Sequence, residues 1–550
     1  MNSIDHIQQA FIERLKNLFP THQASSDHTR LHINTDEAKQ TFGNLSTTVA
    51  LVLAKMLNRS PREIATEIMT TFTHPSIEKI EIAGPGFINI FLTQETFKLL
   101  VQELFERKEQ FFKPIQLEKK QNVSIEFVSA NPTGPLHFGH GRGGIIGDVL
   151  GNVLKFVGHN VTKEFYINDA GNQIQKLGES FKIRCLQAAG VDVSIPEDGY
   201  HGEYLLELAQ GCFAEYGQAI FEKEDSFFAN YAKENLLEAL KNTLQDYGIH
   251  YDVWFSEKTL HESDAIEKAL QVLQKNNLLY EQDGALWFKT TQFGDDKDRV
   301  VKKSTGEYTY IAADIAYLQN KAARGFDHFI FILGHDHHSY VMRLNAVKQG
   351  LGFNEKSLDV ILYQLVKILN DGALVRMSKR SGAIISLQDI INTVGKDVAR
   401  FFYLNRKADA QLEFDLGLAL KKTEENPVYY VQYAYVRTRS ILEKASTASE
   451  LHNIGADDAL YIGPEEAILI KKIVFLEQLL SDIAINHQTH LLAHYVIELA
   501  QLFHRYYSHV RVIDPENVQK SRARLLMIHI LGNTIALVLG LLGVSHPDKM

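Results

Sequence analysis

Cysteine is nearly missing from this sequence: two residues in 550, Cys185 and Cys212, with neither a CxxC nor any other metal-holding spacing. That scarcity excludes a disulfide-stapled scaffold, gives no basis for a zinc site, and suits a reducing cytoplasm. An excess of basic charge is also lacking. Lys and Arg number 57 against 67 Asp and Glu, a formal net charge of -10, so the chain is no uniformly basic nucleic-acid binder. A local basic stripe remains compatible with that average. No internal repeat or low-complexity tract occurs. The opening MNSIDHIQQAFIERLKNLF carries acids and no small-residue cleavage site, so it reads as the first helix of a fold rather than a targeting peptide. One long apolar run, LLMIHILGNTIALVLGLLGV, is interrupted by His529, Gly532, Asn533 and Gly540, and a buried helix fits it better than a membrane span.

What is present is ordinary folded-protein composition, 45% hydrophobic and 23% charged, over a length that predicts two to four domains. Residues 1–112 mix helical patterns with a hairpin signal, IEKIEIAGPGFINIFL, and predict a small α+β domain. Over 113–370 the pattern becomes short apolar strands alternating with helices: VSIEFVSA, TKEFYIND, HFIFILG and DVILYQLV. That alternation predicts a parallel α/β sheet. Long polar helices at about 185–300 separate its two halves as an insertion. A region at 371–426 links the sheet to 427–550, where the periodicity is helical nearly to the end and predicts a bundle.

The stretch SANPTGPLHFGHGRGG, from Ser129 to Gly144, lies where a strand ends and a helix begins. A βα loop at the carboxyl edge of a parallel sheet is where doubly wound folds bind ligands. His137 and His140 share one side of a first helical turn, and a helix N-terminus with two imidazoles suits phosphate oxygens. Gly139 between them would let a flat purine lie against the backbone. A plain helix cap is the competing reading of this pair.

NPTGPLHFGHGRG resembles the first signature of the class I aminoacyl-tRNA synthetases, and VRMSKRSGA, with Arg376, Met377, Ser378 and Lys379, resembles their second. Arg376 departs from the lysine usual at its place. Further stretches, FYINDAGNQ, YTYIAADIAY, GHDHHSYVMRL and NPVYYVQYAYVR, and both termini, resemble the arginyl-tRNA synthetases over the whole chain. The resemblance implies a Rossmann-like catalytic domain with an insertion, an N-terminal additional domain that contacts the tRNA elbow, and an all-α anticodon-binding domain. It implies ATP as substrate with Mg²⁺, L-arginine and tRNA(Arg) as partners, no DNA, no membrane, and a cytoplasmic monomer. His137, Gly139 and His140 would serve ATP at the α-phosphate, and Met377, Ser378 and Lys379 its leaving pyrophosphate. Activation of arginine would wait for bound tRNA.

A guanidinium needs a carboxylate that accepts two parallel bonds, with aromatic faces around it. Tyr310, Asp314 and Tyr317 share one helix face and could form that cup, or the tyrosines could belong to a core stripe. Glu126, in an otherwise apolar strand, needs a cationic partner, either the substrate or a structural lysine or arginine. Glu126, Ser129 and Asn131 match positions that hold the substrate's α-amino group and side chain in the resembling family. HDHH, with Asp336, His337 and His338, follows a strand and suits a nucleotide or arginine contact better than a metal, because adjacent histidines hardly face one ion. Tyr429, Tyr430, Tyr433, Arg437 and Arg439 combine stacking surfaces with cations, as splayed anticodon bases require. By resemblance Phe87 and Asn89 would meet the tRNA elbow. The rival functions are a small-molecule nucleotidylyltransferase with the same HxGH signature, a non-catalytic tRNA-binding relative, and a class I synthetase for another amino acid.

Overall fold

The computed structural model describes all residues except 22–25, 71, 115–119, 170, 371 and 376–384. The chain opens on α1 (Ser3–Leu18), where the Asn2 side chain accepts from the Ile4 and Asp5 N–H groups and Asp5 accepts back from the Asn2 N–H. Its apolar stripe, Ile7, Phe11 and Leu15, is buried. The stripe shares a core with an antiparallel sheet of β1 (His32–Ile33), β2 (Leu45–Thr47), β3 (Ile77–Ala83) and β4 (Phe87–Leu92), ordered β1-β2-β4-β3. The hairpin between β3 and β4 turns at Gly84 and Gly86, whose φ values of 51° and 144° favour glycine. Helix α2 (Gln94–Arg107) follows.

The central region begins with β5 (Asn122–Phe127), α3 (Phe138–Val157) and β6 (Asn160–Ile167). Then come three helices, α4 (Asn172–Ala188), α5 (Glu203–Tyr216) and α6 (Asp225–Asp246), followed by β7 (Val253–Ser256). A small antiparallel sheet, β8 (Leu279–Gln282), β9 (Ala285–Phe288) and β10 (Arg299–Lys302), leads into α7 (Tyr310–Ala323). The region closes with β11 (His328–Gly334), α8 (His338–Gly350) and β12 (Leu358–Tyr363). Five of these strands form one parallel sheet, ordered β12-β11-β5-β6-β7. The stretch expected to be wholly an insertion thus returns one strand, β7, to the edge of the main sheet. A four-residue aromatic strand, VWFS, is too short to stand out among long polar helices.

The chain then runs through α9 (Leu387–Val394) and α10 (Lys396–Tyr403) into four long helices: α11 (Pro427–Ala445), α12 (Ala467–Asn486), α13 (His490–His509) and α14 (Val518–Leu542). Asn426 caps α11 by accepting from the Val428 N–H, with Pro427 in the first turn. Helix α14 is long and apolar enough to cross a membrane, with mean hydropathy 2.2, yet 72% of its apolar window is buried inside the protein. It packs against α11, α13 and α3.

Helix α3 runs through the middle of all this. A side chain at Gly147 would stand 2.3 Å from the Phe127 ring, and one at Gly143 would stand 2.6 Å from Tyr363, so glycine lets the helix lie flat on the sheet. Two charges on α3 are fully buried. Arg142 donates to the carbonyls of Gln364 at 2.9 Å, Ala410 at 2.8 Å and Lys407 at 2.8 Å. Asp148 meets Lys163 at 2.6 Å and the buried guanidinium of Arg400. Arg400 in turn donates to the Leu542 carbonyl at 2.9 Å and the Tyr247 carbonyl at 3.0 Å. Burial acts to raise the Asp148 pKa, and Arg400 and Lys163 together hold it below the usual carboxylate value. Asp148→Ala leaves two buried cations without a partner and is expected to cost about 3–5 kcal/mol in urea unfolding, whereas Asp409→Ala, on an exposed pair, should cost under about 1 kcal/mol.

Candidate active site

The main sheet reverses its order at β5: β6 and β7 lie on one side, β11 and β12 on the other. The crevice between the carboxyl ends of β5 and β11 is therefore the switch point where such folds take ligands. The loop leaving β5 is strained at once. Val128 and Ser129 have φ values of 67° and 38°, uncommon for residues with a Cβ and most of all for a β-branched one. Ser129 secures this turn: its Oγ donates to Glu126 Oε1 at 3.2 Å and accepts from the Tyr166 N–H at 3.1 Å. Asn131 Nδ2 donates to Gln173 Oε1 on α4 at 2.8 Å.

His137 is the N-cap of α3, its Nδ1 accepting from the Gly139 N–H at 3.1 Å. An accepting Nδ1 leaves the proton on Nε2, which then faces outward as a donor. The His137 and His140 rings stack, centroids 3.6 Å apart at 24°, and a Cβ at Gly139 would stand 3.0 Å from the His137 ring. Burial and the His137 ring lower the His140 pKa to about 3. Burial also lowers that of His137, with Asp336 opposing. The pair is thus two neutral imidazoles at the positive end of a 20-residue helix, suited to donating to an anion without proton exchange. His140 Nδ1 is buried with no partner among the described residues. The cap reading holds at His137, and it leaves the other ring nitrogen free of that bond.

Two segments meet this turn. The Phe138 N–H donates to the Ile385 carbonyl at 3.2 Å, and the Leu387 N–H donates to the Leu136 carbonyl at 2.8 Å, an antiparallel bridge. Arg376, Met377, Ser378 and Lys379 lie outside the described residues. From β11, Gly334 leads into the turn His335–His337 and then α8. His337 and His338 are exposed, Asp336 pairs with His337 at 3.6 Å, and the His335 and His338 rings face each other at 6.1 Å. Among the described residues, no group of three or more His, Cys, Asp or Glu is placed to hold a metal ion.

Beneath the loop lies a pocket rich in carboxylates. Tyr317 Oη lies 2.7 Å from Glu126 and within reach of Glu164. Lys321 Nζ lies 2.8 Å from Glu164, 3.3 Å from Glu126 and 2.8 Å from Ser124 Oγ. Glu126 therefore has the structural lysine that the sequence left as one of two options. Burial acts to raise the Glu164 pKa, and Lys321 and Arg324 hold it down to about 2; burial prevails at Glu126 and raises it.

Asp314, one turn before Tyr317, accepts from Tyr340 Oη at 2.6 Å. Burial raises its pKa to about 7, the Tyr340 hydrogen bond opposing, Glu257 and Glu126 adding to the rise, and Arg343 opposing last. Glu257 is buried and bonded to Tyr166 and, at 3.4 Å, to His261. Asp314 is bonded to a tyrosine hydroxyl rather than to a cation, so a cation brought against it would favour its charged form. The expected cup of Tyr310, Asp314 and Tyr317 changes accordingly. Tyr310 shares the face but is 69% exposed, because α7 starts only there, and Tyr340 and Tyr166 supply the inner aromatic contacts. Glu257, Tyr340 and Glu164 come from distant strands and helices, and no spacing in the sequence links them to Asp314. Lys321 alone had a signal, four residues after Tyr317 on the same helix.

On α11, Arg437 donates to Tyr433 Oη at 2.6 Å and lies 4.5 Å over the Tyr433 ring and 5.1 Å over Tyr507. His504 of α13 stacks on Tyr433 at 5.8 Å. Tyr429 is half-buried and Tyr433 exposed, so the helix presents a real aromatic and cationic surface. In the amino-terminal sheet Phe87 is exposed, whereas Asn89 is buried, because it sits inside the ladder between Glu81 and Ser46.

With this geometry in hand, residues 100–409 match the catalytic domain described as tRNA synthetases class I (R), residues 431–550 the DALR anticodon binding domain, and residues 5–92 the arginyl tRNA synthetase N terminal domain. The chain is 42% identical to the arginine–tRNA ligase of Citrifermentans bemidjiense over 92% of its length and 93% of that protein. It is 39% identical to arginine–tRNA ligase 1 of Halalkalibacterium halodurans over the full length of both. Among solved structures, Thermus thermophilus arginyl-tRNA synthetase shares the fold, with a TM-score of 0.75 at 21% identity over 99% of this chain and 100% of that one. The His140 geometry has a direct check. The histidine resonance that disappears in His140→Asn should not titrate between about pH 5 and 8 in an ¹⁵N NMR series, because burial keeps the ring neutral throughout.

Proposed function

The chain belongs to the arginyl-tRNA synthetases, class I arginine–tRNA ligases, and from that premise we propose how its residues divide the work. The carrying observation is Asp314: a carboxyl whose pKa burial raises, bonded to a tyrosine hydroxyl and not to a cation, near Glu126 at the end of the strand whose following loop presents two neutral imidazoles. A guanidinium fits that pocket, and a triphosphate fits the helix end.

In this reading Asp314 receives the arginine guanidinium, with Tyr317 and Tyr340 as walls and Tyr310 outside them. Glu126, held by Lys321, and the loop residues Ser129 and Asn131 orient the α-amino end, and His338 borders the nucleotide side. His137 and His140 donate to the α-phosphate across Gly139. Met377, Ser378 and Lys379 attend the leaving pyrophosphate, and Mg²⁺ enters with ATP as part of the substrate. The arginine carboxylate attacks the α-phosphorus in line, pyrophosphate departs, and the adenylate carbonyl is then attacked by a ribose hydroxyl of the terminal tRNA adenosine. Neither step uses a protein nucleophile. Positioning and stabilisation of phosphate charge do the catalysis.

Tyr429, Tyr433 and Arg437 are the surface for anticodon bases, and Phe87 is an elbow contact. Asn89 would act through the shape of the hairpin. The protein works as a cytoplasmic monomer, without zinc. A small-molecule nucleotidylyltransferase would have no use for the amino-terminal sheet domain or for the aromatic face of α11.

Charging is read with radiolabelled arginine, ATP and unfractionated tRNA. Arginine should enter acid-precipitable material, and incorporation of a different amino acid in its place would move the specificity while leaving the fold as described. Asp314→Asn is expected to raise the arginine KM roughly 100-fold or more with the tRNA KM unchanged, since it removes one member of a buried charge pair. The pH dependence has a definite sign. Below about 7 the Asp314 carboxyl is protonated in the free protein and must lose its proton to pair with a guanidinium. The arginine KM should therefore rise as pH falls from about 8 to 6, approaching tenfold per unit, with proton release on binding seen by calorimetry in two buffers.

A further inference from the structure

The loop between β5 and α3 carries Asn131 and His137, and two of the three helices between β6 and β7 reach over to hold it. Tyr204, in the first turn of α5, donates its hydroxyl to the Thr133 carbonyl at 2.6 Å. Its ring is admitted by two glycines. A Cβ at Gly134 would stand 3.0 Å from the hydroxyl, and one at Gly202 would stand 2.1 Å from the ring. The second contact is the bond from Asn131 to Gln173, in the first turn of α4. Helices α4, α5 and α6 share their own small core of Phe181, Cys185, Ala209, Cys212 and Phe228, so both contacts issue from one packed unit. The loop they grip starts with the left-handed Val128 and Ser129, a backbone that persists only where its surroundings hold it.

We propose that Tyr204 is a positioning residue for arginine activation: its hydroxyl fixes the Thr133 turn, so that Asn131 and His137 stand together over the crevice. This rests on the arginine and ATP assignments given above. Thr133 lies midway along the loop, two residues after Asn131 and four before His137. A carbonyl pinned there limits movement of both groups at once, and the insertion becomes a splint for the site as well as a surface elsewhere.

The test is Tyr204→Phe in the full-length protein, which keeps the ring and removes the donor. Expected are rises of about three- to tenfold in the KM for both ATP and arginine, with a smaller change in kcat, an unchanged tRNA KM and an unchanged thermal midpoint. Gln173→Ala should move the same two KM values, and the double variant should lose less than the product of the singles, because both act on one turn. Unchanged KM values in Tyr204→Phe, or losses that only track a fall in folded protein, would overturn the proposal. Should that variant not accumulate, Gln173→Ala reads the same turn, and wild-type KM values there would overturn it equally. Failure of the unaltered protein to charge arginine would instead remove the assignment on which the proposal rests.

Discussion

Two buried guanidiniums, one on helix α3 and one bound to it, hold this molecule together. Helix α3 presents its N-terminus to the crevice, and further along it carries Asp148, which Arg400 and Lys163 grip. Arg400 also bonds the carbonyl of Leu542 at the end of the last long helix and that of Tyr247 at the end of α6. Arg142 does the same for the segments around Gln364 and Ala410. Each guanidinium has several donors in a planar fork and can satisfy carbonyls from different chain segments at once, which a lysine could not do with fixed geometry. The imidazole pair is placed against the sheet only because this helix cannot slide.

Charge in the pocket follows a complementary logic. Glu126 and Glu164 share Lys321, so their cost of burial is met within the protein. Asp314 has a tyrosine hydroxyl in place of a cation, and nearby Glu126 and Glu257 make its ionisation harder. A folded protein that keeps one carboxylate in that condition spends stability on it, and the return comes when a cation arrives. Strain at Val128 and Ser129 sits two and three residues after Glu126, on the loop that carries Asn131 and His137.

The strands VSIEFVSA, TKEFYIND, HFIFILG and DVILYQLV were legible because parallel strands buried on both faces read as continuous apolar runs. The hairpin at Gly84 to Gly86 and the helix start at Asn426-Pro427 were equally plain from turn and cap chemistry. Edge strand β7 escaped because four residues carry no period. Tyr310 was drawn into the pocket by helical spacing, which says which face a residue shares and nothing about where the neighbouring wall ends. The burial of Asn89 was hidden for a similar reason: alternation along β4 gives way to burial over consecutive residues, so an asparagine there is enclosed.

The strands of the main sheet other than β7, the HxGH turn at a strand-to-helix junction, the helical carboxy-terminal quarter and the family they belong to were all decided by local pattern, since each depends on residues near one another in the chain. The tertiary structure alone decided which cation answers which carboxylate. It gave Lys321 to Glu126 and Tyr340 to Asp314, and it brought Glu257 beside them from the turn after β7, 57 residues before Asp314. Electrostatic energy depends on separation in space and on the water excluded there, and sequence distance measures neither.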